Sequence, residues 1–138
     1  MSAALKHLDV AAGILVHGDR VLCLKRGVHK YEYLSFRYEF PGGKIEAGES
    51  GAEALMRELS EELEISLTVS EQDLYQSVSH SYPDFEVTLY FYLCRVSSDE
   101  FVMKEHAGFA WLRREELMDV SWMPADYPVI ERLVKEGF

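Results

Sequence analysis

The chain has 138 residues, and we expect one domain over residues 1–138, because two halves would each approach the size at which a hydrophobic core becomes marginal. Its 48% hydrophobic and 28% charged residues are ordinary for a globular protein, which excludes extensive disorder and fibrous repeats. The formal net charge of −10 would repel the phosphate backbone of DNA or RNA, so polymeric nucleic acid is not an expected partner.

Two apolar runs near the N-terminus, at 8–16 and 20–25, predict a β-hairpin with His17-Gly18-Asp19 as its turn. Charged residues interrupt the first run, so it is too short for a membrane span and lacks the pattern of a secretory signal. The segment 27–35 is rich in Tyr, His and Lys and predicts a loop. Residues 37–40 predict a short strand.

The clearest helical pattern runs from Ser50 to Leu63. Apolar residues recur there at spacings of three and four, which predicts a helix with one buried stripe. Ser50 is a fair N-cap, and Glu53 three residues later completes a capping box. Just upstream, Pro41-Gly42-Gly43 is expected to stop the preceding strand.

The second half of the chain predicts further strands and a terminal helix. The predicted strands are 74–81, 85–96 and 109–112, and the predicted helical segments are 114–118 and 127–136. Strands and helices intermixed in this order predict an α/β layered domain.

The two cysteines, Cys23 and Cys94, lie in alternating apolar segments. This placement favours reduced thiols packed as small hydrophobic side chains over a disulfide framework. We therefore expect a cytoplasmic location.

The segment from Gly42 to Ile65 carries the chemistry. On a helix, Glu58, Glu61 and Glu62 lie at i, i+3 and i+4 and project from one face, opposite the leucine stripe. Like charges at these spacings destabilise a helix by about 0.2–0.5 kcal/mol per pair, and divalent cations with oxygen ligands are a natural way to offset the repulsion. Taken alone, such a face is more often a solvated surface.

The residues that flank this face change that balance. Gly43, five residues, Glu49 and seven residues precede Arg57-Glu58-Leu59-Ser60-Glu61-Glu62-Leu63-Glu64-Ile65, and the whole spacing resembles the Nudix box. The family usually has glycine where this chain has Glu64, so we expect the helix to end differently or to extend further. Segments 38–44 and 123–130 also resemble MutT-type members of that family.

The resemblance implies a Nudix fold, a mixed β-sheet sandwiched between α-helices. It implies that Glu58, Glu61 and Glu62 bind metal ions, with the carbonyl oxygen of Gly42 completing the shell. The implied cofactor is Mg²⁺, with Mn²⁺ as a substitute. Glu105 matches a loop glutamate that binds a further metal ion or helps to activate water in relatives.

Hydrolysis also needs a general base, which accepts a proton from water, and side chains that hold the phosphates. Either Glu61 or Glu62 is our first choice for the base and Glu105 the second, because ligand and base both require a carboxylate. Arg57 adjoins the acidic cluster and is expected to hold a neighbouring carboxylate in a fixed rotamer. Lys44 and Arg26 are expected to contact phosphate oxygens, and the alternative for each is a solvated surface cation.

The residues that select the nucleotide base are expected to lie outside the Nudix box. The resemblance places Asp126 against the nucleotide base, while its alternative role is that of a helix N-cap. Phe40 and Tyr82 either stack on the base or belong to the core. The side chains at Trp111 and Trp122 are expected to be core or half-buried. No histidine has a zinc-binding spacing, so we interpret those at 80 and 106 as polar strand or loop residues.

The resemblance therefore implies an enzyme that hydrolyses a (deoxy)nucleoside triphosphate to a monophosphate and pyrophosphate. An 8-oxo-dGTP-like or a CTP-like substrate both fit. One alternative is a pyrophosphatase acting on ADP-ribose or another nucleoside diphosphate derivative. The other is a non-catalytic nucleotide-binding module, which predicts loss of the box carboxylates that this chain retains. The expected partner is a small nucleotide, and the expected state is a monomer or homodimer.

Overall fold

A computed structural model describes residues 5–138 and has a mixed β-sheet with a helix on each face. The strands are β1 Lys6–His17, β2 Arg20–Lys25, β3 Tyr38–Glu39, β4 Gly42–Lys44, β5 Leu74–Ser81, β6 Phe85–Arg95 and β7 Gly108–Arg113. The α-helices are α1 Gly51–Leu63 and α2 Tyr127–Glu136, and short 3₁₀ segments lie at Glu32–Leu34, Glu71–Asp73, Arg114–Asp119 and Pro124–Asp126. None of the helices within residues 5–138 has the length and apolar character needed to cross a membrane.

The sheet is organised around β1, and its order is β3-β2-β1-β6-β5. β1 runs parallel to β6 along nearly its whole length, and the other pairs are antiparallel. The β1–β2 pairing covers only Val16–Val21 and His17–Arg20, because the preceding part of β1 pairs with β4 instead. The strands β1 and β2 therefore diverge beyond these two pairs, and their diverging parts border the candidate active site.

Two apolar layers hold the helices against the sheet. The leucine stripe of α1, Leu55, Leu59 and Leu63, is at most 1% exposed and packs with Leu15 and Leu22 on one face. The other face packs against α2 through Val129, Ile130 and Leu133, around the fully buried Trp122. Burial of one such side chain stabilises the fold by about 1.5–3 kcal/mol. The predicted sheet between helices is confirmed.

The start of α1 follows the predicted capping box. The Ser50 hydroxyl accepts the Glu53 backbone N–H at 3.1 Å, and the Glu53 carboxylate accepts the Ser50 N–H at 2.9 Å. These bonds satisfy backbone donors that have no partner inside the helix.

The end of α1 corrects the expectation that replacing the usual glycine changes the helix exit. Glu64 adopts the left-handed conformation, with φ 53° and ψ 36°, and the helix ends at Leu63 as it would with glycine. The N–H of Ile65 donates to the carbonyl of Leu59 at 3.1 Å. Tertiary contacts therefore impose the exit, and a side chain at this position bears the strain.

We expect Glu64→Gly to raise the free energy of unfolding by about 1 kcal/mol, because glycine adopts the left-handed region without a Cβ penalty. Chemical denaturation measures the change. Glu64→Ala is the control, since it removes the carboxylate but keeps the strain. An equal gain in both variants, or a loss in Glu64→Gly, would contradict this account of the helix end.

The segment around β4 also differs from expectation. Residues 42 and 43 were expected to stop a strand, yet Gly42–Lys44 pairs with Val10–Ala12 of β1. A side chain at Gly42 would meet the Ala11 carbonyl oxygen and would lie 2.8 Å from the Ala12 Cα. The close approach of two backbones thus needs glycine here, and pairing with β1 overrides the low strand propensity.

Smaller differences concern the boundaries of predicted elements. The strand expected at 37–40 is only Tyr38–Glu39, and the loop expected at 27–35 contains the turn Glu32–Leu34. The helical turn expected at 114–118 is a 3₁₀ segment.

Candidate active site

Arg57 organises the acidic end of α1. Its guanidinium donates two hydrogen bonds to the Glu49 carboxylate, at 2.7 and 3.0 Å, and one to Glu58 at 2.9 Å. It also donates to the carbonyl of Lys44 at 3.0 Å and lies 3.3 Å from a carboxylate oxygen of Glu61. The bond to Glu49 raises the pKa of Arg57, and Arg57 holds the pKa of Glu49 below its ordinary range. Arg57 thus contacts the carboxylates of Glu49 and Glu58, and its role in fixing their rotamers stays a prediction.

Gly43 leaves room for the carboxylate of Glu58. A Cβ at this position would lie 2.6 Å from both carboxylate oxygens of Glu58. The side chain of Glu58 is only 15% exposed. Glycine at this position of β4 therefore allows the strand to pass directly over this carboxylate.

Because the atom that a Cβ meets belongs to a flexible side chain, we expect Gly43→Ala to displace the Glu58 carboxylate without unfolding the protein. Turnover should fall about tenfold or more, since a misplacement near 1 Å costs up to about 10²-fold. Steady-state kinetics and circular dichroism measure the two effects. Gly108→Ala is the control, since Gly108 has no positive φ and an added Cβ would lie at an ordinary 3.8 Å from the Cβ of Lys25.

The acidic face of α1 borders a cavity of about 430 Å³, which we name the carboxylate cavity. It is lined by Leu24, Arg26, Gly27, Val28, Glu39, Pro41, Gly42, Glu58, Leu59, Glu62, Leu63, Glu105 and His106. Partial burial raises the pKa of Glu62, and the nearby carboxylate of Glu105 raises it further. The structure thus brings Gly42, Glu58, Glu62 and Glu105, four of the five predicted metal ligands, to one cavity.

Glu61 does not line this cavity. Its side chain is 58% exposed and its carboxylate faces Arg57. Among residues 5–138, no three His, Cys, Asp or Glu side chains are already grouped as a metal site. The donors still suit a hard cation, because carboxylate oxygens are its preferred ligands and a cation would relieve the repulsion between Glu62 and Glu105.

The loop between β6 and β7 holds Glu105 in position from both sides. The Lys104 ammonium donates to the carbonyl of Glu61 at the end of α1, at 3.0 Å. On the other side, the Nε2 of His106 lies 2.8 Å from the Glu39 carboxylate. Glu105 is therefore placed beside α1 by tertiary contacts.

A second cavity, of about 310 Å³, adjoins the first and is named the apolar cavity. The two cavities share Arg26, Glu39 and Gly42. The apolar cavity is further lined by Leu8, Val10, Ala12, His29, Phe40, Gly43, Lys44, Tyr82, Phe85, Val87, Leu89, Met123, Ala125 and Asp126.

Asp126 lies in the wall of the apolar cavity and is 4% exposed. Its side chain makes no capping bond to α2, so the alternative role as an N-cap is excluded. Burial raises the pKa of Asp126 well above the ordinary range, and the negative charge of Glu39 raises it further. A protonated carboxyl both donates and accepts a hydrogen bond.

The two aromatic candidates belong to the core while bordering this cavity. Phe40 is 4% exposed and packs edge-on to Phe91 and against Trp122. Tyr82 is 5% exposed, and its hydroxyl accepts the N–H of Ala125 at 3.0 Å. Tyr82 thus braces the segment that precedes Asp126.

Three site residues escaped the sequence analysis, namely Glu39, His106 and His29. Glu39 accepts a hydrogen bond from Arg26 at 2.9 Å and contacts His106, which links both cavities. The signal for Glu39 was its position directly before Phe-Pro-Gly-Gly in the sequence. His106, interpreted as a polar loop residue, contacts Glu39, and only the fold reveals that contact.

The remaining expectations concern residues outside the two cavities. Trp122 is fully buried and Trp111 is partly buried, as expected. His80 lies in β5 and packs against Tyr82. Cys23 and Cys94 are buried free thiols, whose burial raises their pKa values.

Known proteins resemble this chain in sequence and in structure. The sequence model of the protein family described as the NUDIX domain matches residues 7–133 of this chain. The 8-oxo-dGTP diphosphatase of Escherichia coli (strain K12) is 32% identical over 129 residues, which cover 94% of this chain and 98% of that protein. The CTP pyrophosphohydrolase of the same strain is 31% identical over 137 residues, covering 92% and 91%.

A solved structure agrees with these relatives. The MutT protein of methicillin-resistant Staphylococcus aureus 252, described as a Nudix hydrolase, has 31% identity and a TM-score of 0.74. The similarity covers 97% of this chain and all of that one. Because the family model spans nearly the whole chain and relatives above 30% identity cover most of it, this protein belongs to the Nudix family and is a MutT-like pyrophosphohydrolase.

Proposed function

We propose that the protein hydrolyses a (deoxy)nucleoside triphosphate to a nucleoside monophosphate and pyrophosphate with Mg²⁺, for which Mn²⁺ substitutes. The observation that carries the proposal is the junction of an acidic cavity with a largely apolar one. The phosphates and cations suit the first, and a nucleoside suits the second. The names of the two E. coli relatives, an 8-oxo-dGTP diphosphatase and a CTP pyrophosphohydrolase, support a nucleotide substrate.

The metal ions would be held by Glu58, Glu62, Glu105 and the carbonyl of Gly42, with Glu61 as the predicted further ligand once it leaves Arg57. Bound divalent cations neutralise a polyphosphate, lower the pKa of water and stabilise charge on the leaving oxygen.

Side chains of this protein would supply the general base and the contacts to the phosphates. A carboxylate accepts the proton of the attacking water, and we favour Glu62 over Glu61 because it lines the carboxylate cavity. Glu105 beside it remains the second candidate. Arg26 lines both cavities, which suits a contact with phosphate oxygens, and the exposed Lys44 borders the apolar cavity.

Asp126 is the proposed selector of the base. A neutral carboxyl accepts from one group and donates to its neighbour, so it matches a base edge with an adjacent donor and acceptor. Cytosine has such an edge at its amino group and N3. 8-Oxoguanine has one at its N7–H and O6, where guanine has two acceptors. Both proposed substrate types therefore fit this residue.

Product analysis tests the proposed function. Incubation with 8-oxo-dGTP, dGTP, CTP and ADP-ribose, with Mg²⁺ or with a chelator, should give monophosphate and pyrophosphate from a triphosphate only when the metal is present. Release of orthophosphate instead would contradict the proposed cleavage. Preference for ADP-ribose would favour the alternative substrate class.

We also propose that the enzyme acts on free nucleotides in the cytoplasm. Both cysteines are buried free thiols, which suits a reducing compartment. The net charge of −10 disfavours polymeric nucleic acid as substrate.

A further inference from the structure

His29 lines the apolar cavity but has no part in the scheme above. It lies in the loop between β2 and β3 and is half-buried. Its ring stacks on Tyr31 with centroids 5.6 Å apart, and Tyr31 stacks on Phe85 at 5.5 Å. Phe85 lines the same cavity, so this aromatic stack fixes the imidazole in the cavity wall.

A backbone contact determines which nitrogen of His29 carries the proton. Nδ1 accepts the N–H of Tyr31 at 2.8 Å. A nitrogen that accepts this bond carries no proton, so the neutral ring has its proton on Nε2. Burial lowers the pKa of His29 and the nearby charge of Arg26 lowers it further, which favours the neutral ring.

No group within residues 5–138 forms a hydrogen bond with Nε2 of His29. By contrast, the Arg26 guanidinium in the same wall is bound to Glu39. The Nε2–H is thus a neutral donor with no hydrogen-bond partner among these residues, on a side chain that lines the apolar cavity. Phosphate oxygens are negatively charged and bind best to cations, so a neutral donor is better suited to an uncharged oxygen.

We propose that the Nε2–H of His29 donates a hydrogen bond to an oxygen of the nucleoside half of the substrate. This inference rests on the proposed function, because it assumes that the phosphates occupy the carboxylate cavity. His29 borders the apolar cavity alone, whereas its neighbour Arg26 borders both. The acceptor is a sugar hydroxyl or a carbonyl oxygen of the base.

Two amide substitutions separate this role from a purely structural one. In His29→Asn the amide oxygen takes the place of Nδ1 and still accepts the Tyr31 N–H, while the amide nitrogen lies near the place of Cδ2 and does not reach that of the Nε2–H. In His29→Gln the amide nitrogen reaches the place of Nε2, so it keeps the donor but loses the Tyr31 contact. Each variant therefore keeps one function of the ring and loses the other: His29→Asn keeps the acceptor for the Tyr31 N–H, and His29→Gln keeps the donor to the substrate.

We expect His29→Asn to raise KM about three- to tenfold with kcat nearly unchanged, as for the loss of one neutral hydrogen bond. His29→Gln should keep a KM closer to the wild-type value, while its thermal stability falls below that of His29→Asn. Comparison of ribo-, deoxyribo- and 2′,3′-dideoxynucleotides then identifies the acceptor. An Asn effect that disappears without the 3′-hydroxyl indicates the sugar, and one that varies only with the base indicates the base.

The inference is overturned if His29→Asn matches the wild type on every nucleotide, or if His29→Gln is the more damaged in KM. Either result would show that the ring only supports its loop. Both outcomes differ from failure of the proposed function, which would appear as absent pyrophosphate release by the wild-type protein itself.

Discussion

Replacement of Glu62 by Gln is expected to lower kcat by about 10²–10⁴-fold, the usual contribution of a positioned acid–base group. The substitution keeps the size of the side chain and removes its charge from the wall of the carboxylate cavity. The fold should survive, because the amide also relieves repulsion with Glu105 and avoids the cost that raises the pKa of Glu62. Rapid-quench or steady-state kinetics, with circular dichroism, measure both effects.

Glu131→Gln is the matched control, since it removes one exposed glutamate from α2, on the opposite face of the sheet. It should leave kcat unchanged. The exposed Glu61→Gln shows whether that carboxylate joins the metal site during turnover. Wild-type kcat in both Glu61→Gln and Glu62→Gln would remove these residues from the roles assigned here.

Replacement of Asp126 by Ala should change the preference between bases by roughly ten- to hundredfold in kcat/KM, because a buried hydrogen-bonding group is lost. Metal affinity should hardly change, since Asp126 does not line the carboxylate cavity. A panel of triphosphates under subsaturating conditions measures the change. An unaltered substrate profile would exclude Asp126 from base recognition.

The same residue also makes stability depend on pH. The pKa of Asp126 is raised in the folded state, so the folded protein retains a proton that the unfolded chain releases above about pH 3.9. Its contribution to stability therefore declines as the pH rises from that value towards the folded pKa. Asp126→Asn should be more stable than the wild type at neutral pH, and the difference should shrink towards pH 4. The exposed Asp119→Asn should show no such trend.

The parts of the fold that depend on local sequence were predictable. The helix α1 was identified from its apolar period and its Ser50 cap, because both act within one or two turns of chain. β4 was missed because its pairing with β1 comes from residues 30 to 34 positions away, and glycines alone indicate a turn. The exit at Glu64 was predicted wrongly for the same reason, since the surrounding structure imposes a conformation that the residue itself disfavours.

In the candidate site, too, the residues set by local sequence were predictable, and those brought together by tertiary contacts were not. The carboxylates of α1 were predictable from helical spacing, and the structure places Glu58 and Glu62 in one cavity. The contact between Glu39 and His106 joins residues far apart in the chain, so no local pattern indicates it. For Asp126, the sequence left two roles open, and burial with no capping bond excludes one of them.

A crystal structure of the protein with Mn²⁺ and a non-hydrolysable nucleoside triphosphate would test the central claim most directly. We predict anomalous density beside Glu58, Glu62 and Glu105, phosphates in the carboxylate cavity, and the base against Asp126. Manganese bound elsewhere, or a base seated in the carboxylate cavity, would contradict the account.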